Sequence, residues 1–373
     1  MTKEEFWEHL DSISLDDNTV AHVENKRVIE EITKEIERII PEKLYRYRSF
    51  DSNNYNLSAL DNNEIWASSL SEMNDYLEYD PFGNPDTIYE TIKDSIASIG
   101  SLGFPSLTVD YPGFEETFGK TCDLDLLKEK GIKESIIKLN KYILEEVKEA
   151  IKMMKDAPWI LSNQVKKAID TTYVSCFTED GCSNIMAGLY SDGAKGFILE
   201  YNTKELLFPC IKKEGCNESW ACPTLHHSPL LIPVNYQDER YDISTMLCSF
   251  VYQLGAMNLI KKAKGDSSQV SLPPFHLDYL FPLKLAGRKQ SVWQHEKEWR
   301  LIYFENKEEH KEKKHIALSI VKPSSIMLCP KCSKENKDQI QSIANSHAIP
   351  VYQLMKDYNS RDYNALRKEL ILE

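Results

Sequence analysis

The sequence predicts an α+β fold, with a mixed, mainly antiparallel sheet core and a large helical insertion. Apolar residues recur at helical spacing in residues 20–40 and through most of 86–170. Strand-like runs, such as 44–50 and 172–178, are bounded by turn residues. Helices and strands follow one another in mixed order without internal repeats, which is typical of the α+β class.

The order of these elements also predicts the domain organisation. Residues 1–40 form an N-terminal helical segment, and 41–355 form a single α+β domain with the helical insertion at about 86–170. The tail, 356–373, is predicted as a C-terminal helix. With 373 residues, the chain is long enough to bury a large core.

Composition limits the classes of protein that need to be considered. Hydrophobic residues make up 42% of the chain and aromatic residues 10%, which indicates a globular protein rather than a disordered one. The formal net charge of -13 argues against a surface that binds polyanions over the whole molecule. The expected partner is a small molecule or another protein.

The sequence predicts a cytoplasmic protein without a membrane partner. Its first residues show no basic region followed by an apolar stretch, so we expect no signal peptide. No run approaches the roughly 20 apolar residues that span a bilayer. The nine cysteines are odd in number and lack the spacing of a disulfide framework, as in a reducing compartment.

Residues 293–304, WQHEKEWRLIYF, concentrate charge in a stretch that is otherwise typical of a strand. Alternation along a strand places Glu296, Glu298 and Arg300 on one face, with the two carboxylates about 7 Å apart. Such a pair raises the pKa of one carboxylate, which suits a general base. The alternative interpretation is an exposed strand end whose charges pair with a neighbouring strand.

Four separated stretches resemble an uncharacterised bacterial family, domain-of-unknown-function family 2971. They are LYRYRSF (44–50), EIWASSLSEMNDYLEYDP (64–81), SCFTEDGCSNIMAGLYSDGAKGFILEY (175–201) and WQHEKEWRL (293–301). Their order and spacing match the family over about residues 43–355. The sequence departs from the family after Asn74-Asp75, where Tyr-Leu-Glu replaces Pro-Phe-Glu, and at Ala187, which replaces a Trp. The resemblance by itself implies no activity.

Taken together, the same stretches resemble the layout of ADP-ribosyltransferases, which implies NAD as the substrate. In that fold an Arg or His on an early strand holds NAD, a second strand carries a Ser or Tyr, and a later strand carries a Glu, often as Glu-x-Glu. Cleavage of the nicotinamide glycosidic bond produces an oxocarbenium-like ribose. A carboxylate at the ribose 2′-hydroxyl stabilises this species.

The resemblance assigns catalytic roles to charged residues of this chain. Arg46 or Arg48 would hold the dinucleotide. Glu298 would be the ribose-binding carboxylate, and Glu296 would activate the acceptor.

The resemblance also implies contacts to the cofactor. The hydroxyl residue of the second strand would be Ser68, in a catalytic role, or Ser69, as a contact to the cofactor. The other implied contacts are Tyr45, Tyr47, Asn74, Asp75, Trp293 and Arg300. For the aromatic residues the alternative is packing in the core, and for Asn74-Asp75 it is a helix cap or turn.

Two stretches contain the cysteine and histidine residues from which a zinc site could be built. Cys210, Cys216, Cys222, His226 and His227 lie within 18 residues, and Cys329-Pro-Lys-Cys332 forms a C-x-x-C pair. The spacings are not those of a zinc finger. We therefore expect no metal, and free thiols instead.

The resemblance thus implies an ADP-ribosyltransferase or another NAD-consuming enzyme, which would act as a bacterial toxin or phage-defence effector. The acceptor, a protein or a nucleic acid, stays open. A non-catalytic module that binds a nucleotide or a protein is the alternative, and a structural interaction protein is a third interpretation. P-loop and Rossmann fingerprints are absent from the sequence.

Overall fold

The structure is a computed structural model that describes most of the chain. The described residues are 1–15, 22–73, 79–102, 141–152, 165–166, 169–207, 230–264, 278, 280–304, 314–356, 358–359, 361 and 366–370. Within them two compact units are distinguished: Met1–Tyr79 with Ala168–Glu239 and Tyr279–Glu373, and Asp80–Lys167 with Arg240–Asp278.

The elements alternate along the chain as the α+β prediction requires. The helices are α1 (Lys3–Ser12), α2 (His22–Ile39), α3 (Tyr55–Asp61), α4 (Pro85–Leu102), α5 (Asn184–Tyr190), α6 (Thr203–Leu207), α7 (Ser244–Lys264), α8 (Phe281–Ala286) and α9 (Lys334–His347). The strands are β1 (Lys43–Arg48), β2 (Glu64–Ser69), β3 (Thr172–Thr178), β4 (Phe197–Asn202), β5 (Leu230–Pro233), β6 (Asn235–Tyr236), β7 (Arg288–Lys289), β8 (Glu298–Phe304), β9 (His315–Ile320), β10 (Ser325–Leu328), β11 (Val351–Lys356) and β12 (Leu366–Leu370).

One mixed sheet organises the first unit. Its strand order is β12-β11-β10-β4-β1-β3-β2-β9, and β8 pairs with both β3 and β5. The β10–β11 pair is parallel, whereas the other pairs of this sheet are antiparallel. A small parallel pair, β6–β7, lies outside this sheet. The predicted α+β class with a mainly antiparallel sheet is confirmed.

Strand β3 joins the segments that were predicted to carry the site. Tyr45 of β1 pairs with Thr178 of β3, and Thr178 pairs on its other side with Glu298 of β8. The β1 and β8 segments are thus two strand spacings apart, about 10 Å. Strands β1 and β2 both pair with β3, at opposite ends of it, rather than with each other.

The strand that carries Glu298 is shorter than the sequence predicts. Residues Ser291–Glu296 form a 3-10 helix, and Lys297 then adopts a left-handed conformation with φ of 45°. Strand β8 begins only at Glu298. Glu296 therefore lies outside the strand, and its approach to Glu298 results from the turn at Lys297 rather than from strand alternation.

The C-terminal segment also differs from its prediction. Residues 366–370 of the predicted helix 356–373 form strand β12, which pairs antiparallel with β11. The segment LRKEL contains apolar and charged residues in an order that suits either structure, so the tertiary pairing with β11 decides its conformation.

The N-terminal helix α1 is held at its start and along one face. Thr2 and Glu5 form a capping box, in which each side chain accepts a hydrogen bond from the backbone N–H of the other residue. Phe6, Trp7 and Leu10 are buried, as their helical spacing predicts. The Trp7 indole N–H donates to the carbonyl of Pro233, the last residue of β5.

The described residues of the second unit are mainly helical. Helices α4 and α7 pack together, and residues 141–152 are also helical. The backbone N–H of Asn84 donates to Ser244 Oγ, and Lys262 forms an ion pair with Glu146. Part of the predicted insertion thus combines with residues 240–264. The boundaries predicted for the single α+β domain stay a prediction.

None of the helices in the described part of the chain has the length and apolar character that crossing a membrane requires.

Gly196 sets the approach of β4 to the end of β1, which gives a test of the sheet geometry. A Cβ atom at Gly196 would lie 2.0 Å from the carbonyl oxygen of Arg48, which is backbone and cannot rotate away. We expect Gly196→Ala to lower the free energy of unfolding by about 1–3 kcal/mol, the usual cost of overpacking. Urea denaturation measures the change.

Gly188 in α5 provides the matched control, because a Cβ atom there meets nothing within 4 Å. Gly188→Ala should leave stability unchanged or raise it by up to about 1 kcal/mol, through helix propensity. Equal stability of the two variants would contradict the close approach of Gly196 to β1.

Candidate functional site

A cavity of about 550 Å³ opens where β1, β3 and β8 meet the segment after α8. Its volume is in the range of small-molecule sites. Seven of the predicted site residues line it: Tyr45, Arg46, Tyr47, Arg48, Trp293, Glu296 and Glu298. The cavity wall also includes residues that the sequence analysis did not select, namely Met73, Cys176, Phe177, Thr178, Met186, Leu189, Tyr190, Lys289, Gln290 and Val292.

Glu298 is a buried carboxylate with both oxygens engaged. Arg300 Nε donates to its Oε1 at 2.9 Å, and Arg300 Nη2 reaches Oε2 at 3.2 Å. Lys289 Nζ donates to Oε2 at 2.9 Å. Burial favours the protonated form, but Arg300 and Lys289 outweigh it and hold the pKa of Glu298 well below its usual range. Glu298 is therefore ionised at neutral pH.

Glu296 is also buried, but its environment favours the proton. Tyr190 donates to its Oε1 at 2.5 Å, and Lys289 donates to its Oε2 at 2.5 Å. Burial raises the pKa of Glu296, and the nearby charge of Glu298 raises it further against the opposing effect of Lys289. Of the two carboxylates, Glu296 is therefore the one whose pKa is shifted in the direction that suits a general base.

The interpretation of this stretch as an exposed strand end is wrong. Glu296 and Glu298 are only 2% and 4% exposed, and Arg300 is fully buried. Their charges pair with one another and with Lys289, not with Arg46 or Arg48.

Lys289 is the residue that joins the two carboxylates, and the sequence analysis missed it. Its ammonium contacts Glu296 and Glu298 and lies 5.3 Å from the ring centroid of Trp293. Lys289 belongs to the two-residue strand β7, whose pairing with β6 positions it. So short a strand carries no periodic signal, and a lone Lys in AGRKQSVW does not stand out from surface lysines.

Arg46 and Arg48 are the cationic residues of the cavity wall for which the described residues supply no carboxylate partner. Arg46 Nη2 donates to the carbonyl of Trp66 at 3.1 Å, and its guanidinium lies 5.2 Å from the Phe177 ring centroid. Its Nε is buried without a hydrogen-bond partner. Arg48 Nη1 donates to the carbonyl of Tyr47 at 3.2 Å, and burial lowers the pKa of Arg48.

The predicted aromatic contacts have different surroundings. Tyr47 is buried, and its hydroxyl donates to the carbonyl of Asp180 and accepts from the N–H of Ser183, so it has a structural role. Trp293 is partly exposed and faces the ammonium of Lys289. Leu189 and Val292, which are both exposed, give the mouth of the cavity an apolar rim.

Ser68, Ser69 and Arg300 are not among the described residues that line the cavity. Ser68 Oγ contacts a ring nitrogen of His315 at 3.1 Å, and Ser69 Oγ contacts Ser71 Oγ. Arg300 lies behind Glu298 and donates to the carbonyl of Ala286 at 2.6 Å. Asn74 and Asp75 lie outside the described residues.

Most of the candidate metal ligands lie outside the residues that the structure describes. Cys210, Cys216, Cys222, His226 and His227 lie outside the described residues. Cys329 and Cys332 are buried free thiols. Among the described residues, no group of three or more His, Cys, Asp or Glu side chains is placed to hold a metal ion. The expectation of no metal stays a prediction.

Comparison with known proteins supports one of the two resemblances. The family model "Protein of unknown function (DUF2971)" matches residues 186–301, which confirms the resemblance to that family over this part of the chain. The matched region includes most of α5, the segment with Lys289, and both glutamates. No curated protein and no solved structure matches the chain. The resemblance to ADP-ribosyltransferases stays a prediction.

The ion pairs of Glu298 predict a large effect on stability. Glu298→Gln keeps the shape of the side chain but leaves Arg300 without its carboxylate in the interior. We expect the free energy of unfolding at pH 7 to fall by about 3–5 kcal/mol, the range for breaking a buried pair. Because the pKa of Glu298 is lowered in the folded state, its stabilisation is present above the ordinary glutamate pKa and is lost as pH falls.

Urea denaturation of the wild type and Glu298→Gln between pH 7 and pH 3 measures this effect. The difference between the two proteins should narrow below about pH 4, the ordinary range of a glutamate pKa. Glu296→Gln is the control and should change stability by only about 1 kcal/mol, since Lys289 keeps Glu298 as its partner. A Glu298→Gln variant as stable as the wild type would contradict the buried network.

Proposed function

We propose that the cavity binds NAD and that the protein cleaves the bond between nicotinamide and ribose, either transferring ADP-ribose to an acceptor or hydrolysing NAD. Cytoplasmic action as a bacterial toxin or phage-defence effector is part of this proposal. The observation that carries it is the meeting of Arg46, Arg48, Glu296 and Glu298 in one cavity.

The charges of the cavity support an anionic ligand. Glu296 and Glu298 are offset by Lys289 and Arg300, which form ion pairs with them. The cations of Arg46 and Arg48 are then in excess, and guanidinium groups suit phosphate oxygens through paired hydrogen bonds. A pyrophosphate would thus supply the counter-charge, while Trp293 and the apolar rim offer contact area to a planar base.

The two carboxylates differ in the way that the reaction requires. When nicotinamide leaves with the electrons of the glycosidic bond, positive charge develops on the ribose, and the ionised Glu298 can stabilise it. The acceptor, or a water molecule, then attacks C1′ and gives up a proton. Glu296, whose pKa is raised by burial, is the proposed base for that proton.

A non-catalytic nucleotide-binding module is the second candidate function. One observation favours it: both oxygens of Glu298 are engaged by Arg300 and Lys289. A ribose hydroxyl must therefore share or displace one of these contacts. In this alternative the cavity still binds the nucleotide, but Glu298 has only a structural role.

Nicotinamide release from NAD separates the two functions, because it reports hydrolysis and transfer alike. We expect release by the wild type and a loss of roughly 100-fold in Glu296→Gln, the usual effect of removing a general base. Arg48→Met should mainly raise KM. Release is measured chromatographically, with water as acceptor and then with added protein or nucleic acid.

Glu145→Gln is the matched control, since Glu145 lies exposed on the helical residues 141–152 of the other unit. It should release nicotinamide at the wild-type rate. A wild type that binds NAD calorimetrically without releasing nicotinamide would favour the binding module. A wild type that neither binds nor consumes NAD would overturn the proposal.

A further inference from the structure

Lys289 occupies the place between the two carboxylates of the cavity. Its ammonium lies 2.5 Å from Glu296 Oε2 and 2.9 Å from Glu298 Oε2, and its side chain is only 9% exposed. Its backbone is fixed, because β7 pairs with β6 in the register Tyr236–Lys289. Lys289 is therefore a built-in cation at the wall of the cavity, not a mobile surface lysine.

The charge of the cluster depends on this one residue. Glu298 retains Arg300 as a partner even without Lys289. For Glu296, in contrast, Lys289 is the cationic partner that the described residues supply. Loss of the ammonium would leave one buried negative charge in the wall, and like charges that meet at a binding surface cost several kcal/mol.

We infer that Lys289 is a specificity-determining residue that makes the cavity accept an anionic nucleotide, by neutralising Glu296. This inference rests on the proposed function, because it assumes that the cavity binds a nucleotide. It assigns to Lys289 the role of selecting for phosphate-bearing ligands. The affinity for such ligands should then follow the net charge of the cluster, whereas the affinity for an uncharged nucleoside should not.

Several groups other than Lys289 act on Glu296. Tyr190 of α5 donates to it, Glu298 of β8 repels it, and Tyr236 of β6 lies near enough for their charges to interact. Without Lys289, burial and Glu298 would raise the pKa of Glu296 further. Glu296 would then take up a proton as pH falls, and its neutral form would no longer repel phosphate.

ADP-ribose is the probe for binding, because it carries the pyrophosphate but lacks the bond that the proposed reaction breaks. Adenosine is the uncharged control. Isothermal titration calorimetry compares the wild type with Lys289→Met, Glu296→Gln and the double variant Lys289→Met/Glu296→Gln. Thermal melting establishes that each protein is folded.

We expect Lys289→Met to bind ADP-ribose roughly tenfold more weakly or worse at pH 7.5, and to recover affinity as pH is lowered. The double variant, in which the cluster is neutral again, should return close to the wild type. Glu296→Gln should bind ADP-ribose as tightly as the wild type or several-fold more tightly. Adenosine should bind equally to all four proteins.

Equal ADP-ribose affinity of the wild type and Lys289→Met would overturn the inference while leaving the proposed function intact. A double variant as weak as Lys289→Met would also overturn it, since the effect would then not come from charge. If Lys289→Met does not fold, weaker ADP-ribose binding by Glu296→Gln than by the wild type overturns the inference instead. A wild type without affinity for ADP-ribose removes both proposals together.

Discussion

The candidate site depends on a buried chain of charges that runs Arg300–Glu298–Lys289–Glu296, with contacts between neighbouring members of 2.9, 2.9 and 2.5 Å. Four charges removed from water cost several kcal/mol each unless every one of them is paired. Here each member has at least one partner of opposite charge. The two cations balance the two carboxylates, so the cluster has no net charge. Removal of one charge therefore leaves a buried charge whose partner is lost or shared.

The same network connects three parts of the unit. Arg300 lies in β8 and donates to the carbonyl of Ala286 at the end of α8, and Lys289 follows three residues later. The hydroxyl oxygen of Tyr236 in β6 accepts a hydrogen bond from the backbone N–H of Glu298 at 2.7 Å. Strand β8, helix α8 and the β6–β7 pair are therefore fixed relative to one another by contacts around Glu298 and Lys289, which line the cavity.

The positions of the strands at the site could be predicted from the sequence, whereas the ion pairs between their charged side chains could not. The alternating and apolar runs at 44–50 and 172–178 have periods that depend only on local sequence, and both form strands. Such runs could not predict that β1 pairs with β3 instead of with β2. Strand pairing depends on contacts between segments that are distant in the sequence. The turn at Lys297 was missed for a similar reason, since Lys has no particular preference for a left-handed conformation.

The members of the charge network show the same limit. Glu296, Glu298 and Arg300 stood out because they lie close together in the sequence. Lys289 did not, because its relation to them exists only after the chain has turned through the 3-10 helix Ser291–Glu296. An exposed strand end and a buried ion network have the same local sequence. The two differ in whether residues from distant parts of the chain pack over the charged side chains and remove them from water.

The N-terminal helix supplies part of that cover, from the side of Arg288. The Arg288 guanidinium donates to Asp11 at 2.5 Å and lies 5.0 Å from the ring centroid of Trp7, and both of these residues belong to α1. Arg288 immediately precedes Lys289, so α1 restrains the strand that positions the ammonium between the carboxylates. Lys3 of α1 likewise pairs with Glu179, which accepts from the Trp299 indole N–H in β8. The helix thus acts on the site without lining the cavity. The N-terminal helical segment therefore stabilises the charge network through its contacts with Arg288 and Glu179.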